Sequence, residues 1–227
     1  MNFDRLIIKW FLALLMLQLP SYGHAIYLDS TIYEIPADKN FISKQIYNNS
    51  NKQNLYEISA VKLDKPGAGG ENRSSVVDGE LLFTPLSFSL QPGASNFFKI
   101  FYKGSTDATE RYYRLLFREI PMTLFSERHH GKNSEAIPVV AIDTILIVRP
   151  RNINFSYTLD EKEGHLTNTG NTYFKVIVHN GCNSNDDAAT IRYILPGETW
   201  NSPMLREMNK KFIVALQKYI PTGNGCF

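Results

Sequence analysis

Cysteine is scarce in this 227-residue chain, which has only Cys182 and Cys226. Two cysteines exclude a disulfide-dense miniature scaffold and a four-cysteine zinc site, and leave room for one bridge. A surplus of one charge is also lacking: 24 Lys and Arg face 22 Asp and Glu, a formal +2. A nucleic-acid partner is therefore not expected, because a polyanion needs a basic field to hold it. Helical periodicity is weak throughout, and no stretch supports a helix longer than a turn or two. Past the first 25 residues no apolar run reaches the roughly 20 residues that span a bilayer, so no membrane span is expected in the mature chain. The chemistry signatures are missing too. No Gly-x-Ser-x-Gly elbow, phosphate-cradling glycine loop, His-Glu-x-x-His or Cys-x-x-Cys occurs, so no catalytic residue, cofactor or metal is expected.

Two short clusters resemble metal ligands only superficially. His129-His130 are adjacent, and neighbours on an extended chain point to opposite sides and share one ion poorly. Asp186-Asp187 lacks the glycine turn and distal glutamate of a calcium loop. Both read as polar loops.

What the chain does have is an ordinary folding composition, 43% hydrophobic and 12% aromatic, which excludes a disordered polymer. Its N-terminus carries Arg5 and Lys9, an apolar run at Trp10–Leu19, and small residues at Gly23-His24-Ala25. That order describes a secretory leader over residues 1–25, with the mature chain starting at Ile26; an uncleaved anchor is the alternative. Export implies an oxidising compartment and predicts a Cys182–Cys226 bridge, with two buried thiols as the alternative.

From Ile26 onward, apolar residues alternate in short runs broken by Gly, Pro and Asn, the period of half-buried strands. The expected strands are Ile26–Ile35, Ile42–Asn48, Leu55–Leu63, Leu81–Thr84, Phe97–Tyr102, Arg111–Ile120 and Val139–Val148. After Arg149-Pro150-Arg151 the pattern restarts with Phe155–Leu159, His165–Leu166, Tyr173–His179, Thr190–Leu195 and Phe212–Tyr219. An all-β domain over residues 26–150 and a second over 151–227 follow, each a sandwich. Pro92-Gly93 and Pro196-Gly197 support the division weakly, since each sets a turn after a strand ending in Leu.

Two strands invite a functional reading. In Arg111–Ile120, Tyr113, Leu115 and Phe117 share one face, and Tyr112, Arg114, Leu116 and Arg118 share the other. The first is a core face; the second is either a solvated face or the wall of a site. Ile137–Val148 is a run of strand formers relieved only by Asp143 and Thr144. Pro138 restricts it to an edge, a strand start or a bulge, and a long apolar edge is an aggregation hazard unless something covers it. A neighbouring strand, the second domain or an outside partner could be that cover.

The segments LQPGASNFFKIFYKG (Leu90–Gly104), ERYYRLLFREIP (Glu110–Pro121), DTILIVRPR (Asp143–Arg151) and LTNTGNTYFKVIV (Leu166–Val178) resemble periplasmic chaperones of the chaperone–usher pilus pathway. The similarity is strongest to the common-pilus, or alpha-fimbrial, branch. It implies an all-β protein of two immunoglobulin-like β-sandwich domains arranged in an L, located in the periplasm. The implied partners are pilus subunits and the outer-membrane usher. Such a chaperone lends its edge strand to a subunit that lacks its own last strand, a form of β-strand addition. The free chaperone could also cap its edge as a dimer. In the register preferred here Val140 and Ile142 enter the subunit groove; the alternative register uses Ile137, Val139 and Ala141. The larger branch of the family holds a subunit's C-terminal carboxylate with an Arg and a Lys, and the matching positions here are Ile32 and Ile145. Neither binds an anion. Arg114 is the substitute candidate, with Arg149 and Arg151 as runners-up, because a guanidinium suits a carboxylate. The competing class is a secreted pilus subunit or adhesin with sandwich domains. A secreted hydrolase ranks below both for lack of a nucleophile–base pair.

Overall fold

The computed structural model describes residues 25–67, 71–122 and 139–226. Residues 1–24 of the expected leader, His129-His130, Ile137 and Pro138 lie outside the described residues. The strands that precede Arg149 are β1 (Ile26–Leu28), β2 (Ile32–Ile35), β3 (Phe41–Asn48), β4 (Asn54–Leu63), β5 (Arg73–Ser74), β6 (Leu81–Thr84), β7 (Ser87–Leu90), β8 (Ser95–Tyr102), β9 (Arg111–Pro121) and β10 (Val140–Val148). Those that follow are β11 (Tyr157–Asp160), β12 (His165–Asn168), β13 (Phe174–Val178), β14 (Thr190–Ile194), β15 (Thr199–Asn201), β16 (Lys211–Ala215) and β17 (Lys218–Pro221). Among the described residues the only helical pieces are two 3-10 turns of three residues each, one of them at Asp186–Ala188 where a polar loop was expected.

The first sandwich packs the sheet β1-β3-β8-β6 against the sheet β2-β10-β9-β4-β5, with β7 also pairing β4. Alternation sends Tyr33, Ile35, Ile46, Tyr56, Phe98, Ile100, Tyr113, Leu115, Phe117 and Leu146 into one core between them. The second sandwich packs β11-β12-β15 against β14-β13-β16-β17 around Leu166, Phe174, Val176, Ile194 and Ile213. A third cluster joins the two sandwiches: Leu63, Tyr112 and Ile147 from the first meet Tyr173 and Leu195 from the second.

Two expected strands are each divided. The run Ile26–Ile35 breaks at Asp29–Thr31, and its halves enter opposite sheets. The Ser30 hydroxyl donates to the Ile32 carbonyl at 2.7 Å and accepts the Ile32 N–H at 3.1 Å, a local bond that competes with the ladder. The run Phe212–Tyr219 is a hairpin instead of one strand. Leu216 and Gln217 form its two-residue turn with φ of 49° and 63°, the geometry that usually calls for Asn or Gly. Cys182 and Cys226 are joined by a disulfide, with Cα atoms 5.5 Å apart.

Candidate functional site

Strand β10 is paired on its whole length with β9, from Val140↔Glu119 to Val148↔Arg111. On its other side β2 pairs it in parallel only from Ile145↔Ile32 to Val148↔Ile35. Among the described residues, Val140–Thr144 therefore has a free edge. The Ile145 N–H donates to the Thr31 carbonyl at 2.9 Å, toward β2. Because residues two apart on a strand point their amides the same way, the N–H and C=O groups of Ala141 and Asp143 face that open edge. Free backbone donors and acceptors in a row are a template for another strand.

The side chains along this strand follow the same division. Ile142, Leu146 and Val148 pack against the first core, and Val140 lies on the same face by alternation. Exposure on that face climbs from 0% at Leu146 and 1% at Thr144, through half-buried Ile142, to 36% at Val140. The core face thus emerges into solvent as the sandwich ends. Val139, at 44% exposure, lies just before the strand. Of the two registers, Val140 and Ile142 continue the core face, while Val139 and Ala141 belong to the outer one.

The outer face of this sheet holds the arginines. Val61, Arg114, Ile145 and Ile32 stand in one row across four strands. Arg114 thus stands beside Ile145 and one strand further from Ile32, the two positions where the anchoring cations were sought. It is mostly buried and pairs with Glu71. Its Nε is buried with no hydrogen-bond partner among the described residues. Arg118, two rows further out on the same face, pairs with Glu57 at 3.7 Å near solvent.

Arg149 and Arg151 are engaged at the junction between the sandwiches. Arg149 is 6% exposed and pairs with Glu34 at 3.1 Å and Glu110 at 3.2 Å. It also donates to the Thr172 hydroxyl and, at 3.0 Å, to the Tyr173 carbonyl, with its guanidinium 4.0 Å from the Tyr173 ring centroid. Glu110 in turn accepts the Tyr173 N–H at 2.9 Å and the hydroxyls of Thr172 and Tyr112 at 2.6 Å. Burial, reinforced by Glu110, pushes the Tyr112 phenol above its usual range. Burial and then Glu34 do the same to Tyr173, so both phenols stay neutral donors at physiological pH. Arg151 donates to the carbonyls of Pro36 at 3.2 Å, Ala37 at 2.9 Å and Lys39. These two side chains hold the sandwiches together. Glu34, Thr172 and Tyr173 as partners of Arg149, and Glu71 as partner of Arg114, carry no local mark in the sequence, because each lies at least 23 residues from its arginine.

A cleft of about 480 Å³ opens where the outer face of β10 meets the second sandwich. Ile32, Ile145 and Ile147 line one side, and Ile191, Tyr193 and Leu195 the other. Lys65 and Arg192 also line it.

Known proteins share this architecture. Residues 25–154 match the family model "Pili and flagellar-assembly chaperone, PapD N-terminal domain". The chain is 38% identical to the "Probable fimbrial chaperone EcpE" of Escherichia coli strain K12, over 89% of this chain and 86% of that protein. It is 31% identical to the "Probable fimbrial chaperone EcpB" of Klebsiella pneumoniae strain 342, over 79% and 83%. Among solved structures, the class 5 fimbriae chaperone CfaA matches 87% of this chain and 97% of its own, with a TM-score of 0.56 at 16% identity. The Escherichia coli chaperone DraB matches 88% and 98%, with a TM-score of 0.56 at 15% identity. The SafB chaperone, solved with the SafA pilin of Salmonella enterica, matches 90% and 96%, with a TM-score of 0.53 at 15% identity. These likenesses fix the fold as two immunoglobulin-like domains, and by its family model and its relatives this chain belongs to the pilus-assembly chaperones of the PapD type.

Proposed function

We propose that this protein is a non-enzymatic periplasmic chaperone that holds a pilus subunit by pairing the free edge of β10 with the subunit's incomplete sheet, and then passes it to an outer-membrane usher. The observation that carries the reading is the half-paired β10: among the described residues its Ala141 and Asp143 amides face an open edge, and its core face comes out into solvent at Val140. Main-chain bonds along that edge supply affinity, and alternate side chains entering the groove supply selection. In the preferred register those side chains are Val140 and Ile142, so the subunit's core becomes a continuation of the chaperone's own. Ile137, Val139 and Ala141 form the alternative set. Arg114 is the proposed partner of the subunit's C-terminal carboxylate, through its place in the row with Ile32 and Ile145. Arg149 and Arg151 serve that role less well, since their donors are already engaged. A subunit or adhesin fits poorly, because such a protein lacks its own final strand and β10 completes the first sandwich here.

The test is co-purification from periplasm of wild-type chaperone and of Val139→Asn/Val140→Asn with a co-expressed pilus subunit. Both side chains are exposed in the free protein, so the variant is expected to melt like wild type and to lose the subunit. Equal recovery of subunit by both proteins contradicts the reading.

A further inference from the structure

The free edge of β10 has a fixed end. A strand laid on it parallel to β10, in line with β2, cannot pass Ile145, because β2 takes the edge from there on. The incoming chain must stop or turn beside Ile32 and Ile145, and both residues line the cleft between the sandwiches. A C-terminus meets that requirement without further backbone. Beyond Ile145 the cleft walls are Ile147, Ile191, Tyr193 and Leu195, an apolar surface. Three charged side chains line it. Glu198 accepts the Leu195 N–H at 3.1 Å, whereas Lys65 and Arg192 make no ion pair among the described residues. The uncommitted charge of the cleft is therefore positive, which complements an anionic chain end.

We infer that this cleft is a side-chain pocket for the C-terminal residue of the bound subunit, and that it selects a bulky apolar residue there. The inference rests on the edge-strand reading above but adds a second point of recognition to it. Where Ile32 and Ile145 replace cations, the loss of charge is offset by apolar area that a terminal Leu, Ile, Phe or Tyr removes from water. Discrimination then lies in the last side chain as well as in the carboxylate.

The experiment is a double-mutant cycle on a co-expressed pilus subunit. Its C-terminal residue is replaced by Gly on one side, and Ile191→Asn is made in the chaperone on the other. Ile191 is more than half exposed, so the chaperone fold is kept, and the subunit-side change leaves the chaperone untouched. Each single change is expected to weaken capture on the order of tenfold, and the two together little more than one alone. Val139→Asn/Val140→Asn is run beside them. If that control binds normally, the edge-strand reading fails. If it loses the subunit while trimming the terminal residue changes nothing, or the two losses simply multiply, only the pocket is wrong. A tightly held subunit that ends in Gly or a charged residue also overturns the pocket. So does an Ile191→Asn effect on self-association of the free chaperone with subunit capture unchanged, which would assign the cleft to a second copy.

Discussion

The two halves of β10, Val140–Thr144 with Asp143 and Thr144 and the wholly aliphatic Ile145–Val148, have opposite fates. Over Ile145–Val148 the strand is flanked by β2 and β9, and Leu146, Ile147 and Val148 are all buried. Over Val140–Thr144 it has, among the described residues, β9 alone, and Val140 faces solvent. The difference in pairing comes from the neighbour, since β2 is only four residues long and reaches only Ile145–Val148. An interaction edge can therefore be made by stopping the adjacent strand early. The second sandwich shows the opposite habit, for its edge strands β11, β14, β15 and β17 are all five residues or fewer.

The largest effect is expected just past the paired half. Arg149→Ala leaves Glu110 buried without its cation, and breaking a buried pair of this kind costs about 3–5 kcal/mol. Chemical denaturation should show that loss, together with separate melting of the two sandwiches. Within the strand, Leu146→Ala is expected to cost about 2–5 kcal/mol of stability through the cavity it leaves. Any fall in subunit capture should follow the folded fraction. Val140→Asn in the free half should do the reverse, changing stability by no more than about 0.5 kcal/mol and weakening capture by about 1.5–3 kcal/mol. Equal stability losses at both positions would erase the contrast between the halves.

A smaller effect concerns the row beside Ile145. Because Glu71 holds Arg114 in the free protein, the two are best removed together. In a Glu71→Gln background, Arg114→Ala is expected to weaken capture by about 1.5–3 kcal/mol, the range for a hydrogen bond to a charged group. Amidating the subunit's C-terminus should weaken binding to Glu71→Gln by a similar amount and leave binding to the double variant unchanged. An amidation effect that survives in the double variant would give the carboxylate to another cation.

Much of the fold was legible in the alternation of apolar residues. Leu81–Thr84 matches residue for residue, and Arg111–Ile120 has its two faces as read, with Tyr113, Leu115 and Phe117 inside. The short strands β5, β7 and β15 were not legible, because half or more of the residues in each are polar. The kinship of the sandwiches was also underread. Around Pro92-Gly93, the Asn48 side-chain amide donates to the carbonyls of Lys52 and Leu90, and its oxygen accepts the Ser50 N–H. Around Pro196-Gly197, Asn168 donates to Thr172 and Ile194 and accepts the Gly170 N–H. The same brace is built twice. Its partners are backbone groups, which any residue supplies, so the sequence shows little beyond two asparagines. For the site, the apolar run and Arg114 stood out as residue types. The end of β2 and the Glu71 contact are set by tertiary pairing and left no local mark.

The account stands or falls on which amides of β10 are open in the free protein and closed in the complex. Amide hydrogen exchange of the isotope-labelled chaperone, alone and bound to a pilus subunit, reads this residue by residue. Ile145 and Ile147 should be protected in both states. Ala141 and Asp143 should exchange readily in the free chaperone and become protected on binding. Binding that leaves Ala141 and Asp143 exchanging at their free rates would show that the subunit is held elsewhere, and the edge of β10 would not be the donor.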